Sequence, residues 1–297
     1  MKVGVVMPIA EGELSGRTAT YPELRDVAQA AESGGLDSIW VYDHLLFRFP
    51  PAPPSGIYEA WSILAALAAD TSRVELGTLV LAIPFRNPAV LAKMAVTVDE
   101  VSGGRLILGI GAGWNEPEFD AFGIPFDHRV SRFEEALEIL LPLLRSGRAD
   151  FAGRFHRADG AELQPRGPRA SGPPILIAGR GPRMLRLVAE HADAWNAAWF
   201  GDASEIEPRV APLRAALAAT GRDPATLEIT IGVNVVVSEL LTDGDEAPAH
   251  ALRGDAAELA AGLRRYAAAG VSHVIAACTP STVAAIEVIS EAARLAR

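Results

Sequence analysis

The sequence predicts an α/β fold of the (β/α)8, or TIM-barrel, class. Short β-branched apolar runs alternate about eight times with longer stretches of helical periodicity, the pattern of parallel strands joined by crossover helices. Glycine pairs close helical stretches before the next apolar run, at Gly34-Gly35 and Gly103-Gly104. The length, 297 residues, suits one barrel, since a single such unit routinely uses 250 or more. All of 1–297 is therefore expected to form one domain, with an insertion near 150–173, between the fourth and fifth strands, and an irregular loop near 241–254. The competing arrangement is a doubly wound open sheet.

The first strand is expected over 3–7 and its helix over 21–33. A second strand at 38–42 precedes a helix near 58–69, and a third at 74–79 precedes a helix at 88–101. The fourth strand spans 106–110. Its helix, 130–144, sets Phe133, Leu137, Leu140, Leu141 and Leu144 along one face, as packing on a barrel wall requires. Gly, Pro and Arg dominate 150–173, which reads as an insertion outside the wall, with 151–156 as one arm of a short hairpin. The rhythm resumes with a strand at 175–178, a helix near 182–191, a strand at 194–197, a helix near 205–220 and a strand at 229–237. After the irregular stretch, Asp255 is placed to cap an alanine-rich helix running to 269. The eighth unit is a strand at 273–277 and a helix over 281–295.

Hydrophobic residues make up 49% and charged residues 22%, ample for a packed core and unlike a disordered chain. A net charge of −10 would repel a nucleic-acid backbone or an anionic membrane, so neither is expected as a partner. The one cysteine, Cys278, reads as a small buried residue and permits no internal disulfide. The amino-terminal segment lacks the pattern of a secretory signal, and no apolar run reaches membrane-spanning length, so a cytoplasmic protein is expected.

In a barrel, reacting groups stand at the carboxyl ends of the strands. Asp43 and His44 follow the second strand. An imidazole there can exchange a proton near neutral pH, or it can simply brace the loop by hydrogen bonds. Gly109, Gly111 and Gly113 end the fourth strand, followed by Trp114. Their spacing does not close a dinucleotide fingerprint. They suit either a flat wall for a planar ring or a strand end crowded by a neighbouring backbone. Gly179-Arg180-Gly181 precedes Pro182 at a helix start, where free N–H groups and a cation can receive a phosphate. The plain alternative is a tight loop with a solvated arginine.

Glu11, Glu13, Glu116 and Glu118 fall in strand-end loops and read as solvated. The proline-rich 47–56 segment, with Phe47 and Phe49, is either part of the pocket rim or an inert rigid loop. No spacing of His, Asp or Glu suits a metal, and no nucleophile elbow is present.

Longer strings carry a resemblance. Leu76-Gly-Thr-Leu-Val80, Phe85-Arg-Asn-Pro-Ala-Val-Leu-Ala-Lys93 and Ser102-Gly-Gly-Arg-Leu-Ile-Leu-Gly-Ile-Gly-Ala-Gly-Trp-Asn115 resemble the luciferase-like monooxygenase superfamily. Pro174-Ile-Leu-Ile-Ala-Gly-Arg-Gly181 and Ala192-Asp-Ala-Trp-Asn196 extend the likeness, which covers residues 1–200 and matches Gly221-Arg-Asp-Pro224 more weakly. Within that superfamily the chain looks like the deazaflavin-dependent oxidoreductases that use coenzyme F420.

The resemblance implies hydride transfer between the deazaflavin and a small organic substrate, with His44 beside the ring as the catalytic residue and Asp43 as its neighbour. It implies a ring held by Thr78, Leu79, Val80, Gly111, Gly113 and Trp114, with a cis peptide between Leu79 and Val80. It assigns the phosphate to Ala178, Gly179, Arg180 and Gly181. Some sugar-phosphate dehydrogenases of this kind carry a glutamate where Trp114 stands, so the tryptophan points to an apolar or aromatic substrate instead. FMN is the alternative cofactor, in a monooxygenase served by a partner flavin reductase and using oxygen. A non-redox barrel binding a phosphorylated metabolite is the third reading. The resemblance also brings a homodimer, since relatives are often dimers.

Overall fold

A computed structural model describes residues 1–243 and 245–297; Gly244, within the expected irregular loop, lies outside the described residues. The first half of the chain contributes β1 (Lys2–Val6), α1 (Tyr21–Ser33), β2 (Ser38–Val41), α2 (Ala60–Asp70), β3 (Glu75–Thr78), the short β4 (Leu81–Ala82), α3 (Pro88–Val101), β5 (Leu106–Gly111), α4 (Glu116–Ala121) and α5 (Arg129–Ser146). The second half contributes β6 (Arg148–Ala152), β7 (Arg157–Glu162), β8 (Ile175–Ala178), α6 (Pro182–His191), β9 (Ala194–Phe200), α7 (Ile206–Thr220), β10 (Glu228–Val237), β11 (Leu252–Gly254), α8 (Ala256–Ala268), β12 (His273–Thr279) and α9 (Val283–Ala296).

Eight parallel strands close into the expected barrel, in the order β1, β2, β3, β5, β8, β9, β10, β12 and back to β1. Val5 pairs with Ile39 on one side and Ala276 on the other, so the first strand joins the second and the last. Because every strand runs the same way, all their carboxyl ends open on one rim.

Local chemistry sets the helix limits. Thr20 and Glu23 cap α1 reciprocally, and the Asn87 side chain accepts the Ala89 and Val90 N–H groups at the start of α3. Asp255 caps α8 as expected, accepting from Ala257 and Glu258 while Glu258 accepts from the Asp255 N–H. Cys278 is buried.

At the opposite end of the barrel from the rim, Trp40 fills the interior. A side chain at Gly77 would come within 2.1 Å of its ring, so only glycine fits there. The indole Nε1 donates to Ser38 Oγ at 2.7 Å, and Ser38 Oγ lies 2.8 Å from His273 Nε2. Burial, with Lys2 and the amino terminus adding to it, pushes the His273 imidazole down to about 3.

The insertion differs in detail from expectation. Residues 151–156 do not form one hairpin arm: the arms are β6 and β7, and 153–156 is the turn between them. Glu135 of α5 holds that turn by accepting the N–H groups of Arg154, Phe155 and His156 at 2.9, 2.7 and 3.0 Å. Farther on, Arg169 reaches the buried Asp99 at 2.9 Å and the Leu106 carbonyl at 2.6 Å, fastening the insertion to the wall. The 241–254 stretch is not wholly irregular, since its last residues form β11 beside β10. Among the described residues no helix is long and apolar enough to cross a membrane.

Candidate active site at the barrel rim

The chain leaves β2 through Asp43 and His44, and the two side chains part. Asp43 is 3% exposed, with its carboxylate taken by Arg86 at 2.6 and 3.0 Å and by the Ala82 N–H at 2.9 Å. Burial raises the Asp43 carboxyl above its ordinary value even against these partners. Burial would lower Arg86, but Asp43 and Glu59 outweigh it. The bidentate contact is that of an ionised pair. The sequence expectation of Asp43 beside the reacting ring thus meets a carboxylate whose oxygens brace the segment after β3.

His44 has a different carboxylate beside it. Its Nδ1 lies 2.9 Å from Oε1 of Glu118, whose Oε2 accepts the Leu45 N–H at 2.9 Å. Glu118 is 1% exposed, against the sequence reading of a solvated acid. It arrives on α4, a helix the sequence reading missed. Phe119 anchors that helix, packing its ring 4.9 Å from Phe85 and 5.1 Å from Phe126. Gly113, at φ +77°, makes room for it: a Cβ there would come within 2.5 Å of the Phe119 ring. Buried Asn115 donates to the Leu46 carbonyl at 3.2 Å. Asn115 immediately precedes α4 and Glu118 lies in its first turn; an Asn-x-x-Glu spacing ahead of an apolar Phe119, a helix-start pattern, was the available signal.

Of the other candidate acids, Glu11 accepts the Gly56 N–H at 2.5 Å. Glu13 accepts the Ala10 N–H at 2.9 Å, and burial raises its carboxyl.

Aromatic rings surround His44. Phe47 lies 4.7 Å away and Trp114 stands edge-on at 5.6 Å. Phe49 stacks on Trp114 at 6.1 Å and on Phe47 at 5.9 Å, so the proline-rich segment does form part of the rim. Paired backbone bonds between Phe47 and Ser55, both 2.9 Å, stiffen it. Trp114 nevertheless remains 60% exposed.

The glycines of β5 answer the strand beside them. Thr78 Oγ1 donates to the Gly109 carbonyl at 2.7 Å and accepts its N–H at 2.9 Å. A Cβ on Gly109 would lie 1.8 Å from the Thr78 carbonyl oxygen, and one on Gly111 would lie 2.8 Å from Val80 and 3.8 Å from the Ala178 carbonyl. Crowding by neighbours therefore accounts for Gly109 and Gly111, and it sets Val80 and the Ala178 carbonyl beside Gly111. The Leu79–Val80 peptide is cis, as the resemblance implied.

The turn after β8 follows directly on Ala178. A Cβ on Gly179 would crowd Met184 at 2.7 Å, and the Gly179 carbonyl accepts from Trp195 Nε1 at 2.8 Å. Gly181 precedes Pro182 at the start of α6 and has open space where a side chain would be. Unpaired N–H groups of a helix start favour an anion. Arg183 and Arg186 are tied to Glu134, whereas exposed Arg180 has no ion-pair partner among the described residues.

The model of one family, luciferase-like monooxygenase, matches residues 1–293. The chain belongs to that family. Its relatives include oxidoreductases: a phthiodiolone/phenolphthiodiolone dimycocerosates ketoreductase of Mycobacterium sp. (strain JLS) is 31% identical over 82% of this chain and 69% of its own length. A 5,10-methylenetetrahydromethanopterin reductase of Archaeoglobus fulgidus is 34% identical over 58% of this chain, which spans about half, 48%, of that relative. In three dimensions, this luciferase-like chain superimposes on an F420-dependent secondary alcohol dehydrogenase solved with an F420-acetone adduct. That match has a TM-score of 0.81 and 20% identity and covers 100% of this chain and 99% of the other.

Proposed function

We propose that this luciferase-like protein transfers a hydride between coenzyme F420 and a small, neutral, apolar substrate carrying a hydroxyl or carbonyl group. The observation that carries the reading is His44, presented among aromatic rings at a rim that also holds the Val80–Gly111–Ala178 strip and the Arg180 turn. The group fits the residues present: the strip offers a side-chain-poor floor for a planar ring, and Arg180 with the start of α6 offers a cation and free N–H groups for a phosphate.

Bound there, the deazaflavin supplies the hydride acceptor, or the donor in the reverse direction. The protein supplies the rest. Phe47, Phe49 and Trp114 hold the apolar part of the substrate and keep water from the reacting carbon. When an alcohol is oxidised, its C–H electron pair leaves with the hydride and its O–H proton passes to His44 Nε2, so that a carbonyl forms. The imidazolium returns that proton to oxygen when a carbonyl is reduced. Asp43 and Arg86 hold the segment after β3 in place beneath the floor.

The assay is turnover of F420 with a panel of secondary alcohols and ketones of increasing apolar size. Turnover should rise with apolar surface and fall by about a hundredfold or more in His44→Ala, with F420 affinity kept. Full turnover in that variant at saturating substrate removes His44 from the chemistry. Turnover of FMN with oxygen in place of F420 makes the protein a monooxygenase needing a flavin reductase.

A further inference from the structure

We propose that Glu118 is a positioning residue that fixes the tautomer of His44, placing the imidazole proton on Nδ1 and leaving Nε2 to exchange protons with substrate. This rests on the reading of His44 as the proton-transfer group. A backbone amide can only donate, so Glu118 Oε2, 2.9 Å from the Leu45 N–H, must accept. The other oxygen lies 2.9 Å from Nδ1. An ionised carboxylate can only accept, so the proton between them resides on Nδ1.

The surroundings admit no substitute. Asp43, adjacent in sequence, is taken by Arg86 and Ala82. His44 is the one basic side chain in salt-bridge range of Glu118 among the described residues. The carboxylate therefore stabilises the imidazolium that forms when Nε2 takes a proton, as a carboxylate does behind a general-base histidine. Asn115, just ahead of α4, adds rigidity by donating to the Leu46 carbonyl. Glu118 in the first turn of α4 and Asn115 just ahead of it thus clamp 44–46 together.

Glu118→Gln separates positioning from packing because it keeps the size of the side chain. Its amide oxygen must turn to the Leu45 N–H, which can only donate. Its NH2 group then faces Nδ1, which must accept, and the imidazole proton moves to Nε2.

The experiment is 15N NMR of imidazole-labelled protein without cofactor, read beside steady-state kinetics with F420. The wild-type protein should show His44 protonated on Nδ1, and Glu118→Gln should show it protonated on Nε2. In the variant kcat should fall by about a hundredfold or more, with KM within about threefold, as expected for a group acting only during the chemical step. A wild-type His44 protonated on Nε2 overturns the proposal without recourse to any variant. A folded Glu118→Gln with unchanged tautomer and kcat overturns it equally. If His44→Ala keeps full turnover, the proton-transfer reading fails, and the tautomer measurement still decides the positioning.

Discussion

Asp43 and Arg86 meet as a bidentate pair beneath the rim, with guanidinium nitrogens 2.6 and 3.0 Å from the two carboxylate oxygens. Their side chains are 1% and 12% exposed, so neither charge has much water to fall back on. Arg86→Met should cost about 3 to 5 kcal/mol of stability, because it leaves Asp43 buried without its cation. Urea denaturation of the two proteins measures the difference. A loss under about 1 kcal/mol would mean the pair is dispensable.

The glycines of β5 and of the turn after β8 should respond oppositely to a methyl group. Gly109→Ala sets a Cβ against the Thr78 carbonyl, and backbone cannot move aside cheaply, so a loss on the order of 3 kcal/mol is expected. Gly181→Ala meets open space, and stability should stay within about 0.5 kcal/mol. Thermal melts of both variants check the contrast, and equal losses would mean the two backbones are packed alike.

His273 gives stability a pH dependence with a defined sign. Its folded value of about 3 lies below the ordinary histidine value of 6.5. Between those values the unfolded chain binds the proton and the folded protein does not. This contribution is therefore complete above 6.5 and is lost as pH falls toward 3, by up to about 1.4 kcal/mol per pH unit. His273→Gln, which keeps a polar group near Ser38, should flatten the denaturation midpoint over that range. An unchanged slope would place the acid sensitivity elsewhere.

Much of the barrel was legible because burial on both faces of a parallel strand writes continuous apolar runs, as in β8 and β10. Helix limits marked by local groups were legible too: Asp255 at α8 and Gly103-Gly104 after α3. The partner of His44 was not. Glu118 lies 74 residues away in the chain and comes into place only when Phe119 wedges α4 under the rim. Asp43, the acid next to His44 in sequence, turns instead to Arg86 and the Ala82 N–H. The glycines of β5 were ambiguous for a related reason, since the atoms that crowd them belong to β3, its continuation and β8, all distant in sequence.

Under the proposed function, Arg180 at the turn after β8 is the cation that receives the cofactor's phosphate. Arg180→Ala should weaken cofactor binding about tenfold, or ~1.4 kcal/mol, and make what remains less sensitive to salt. Calorimetry at two ionic strengths tests this, and equal affinity in both proteins would release Arg180 from that role.

The most direct measurement is a fluorescence titration of the purified protein with F420 and, separately, with FMN. Saturable binding of F420 well ahead of FMN is expected, with inorganic phosphate competing only weakly. Affinity for phosphate without affinity for either ring would contradict a redox site at this rim.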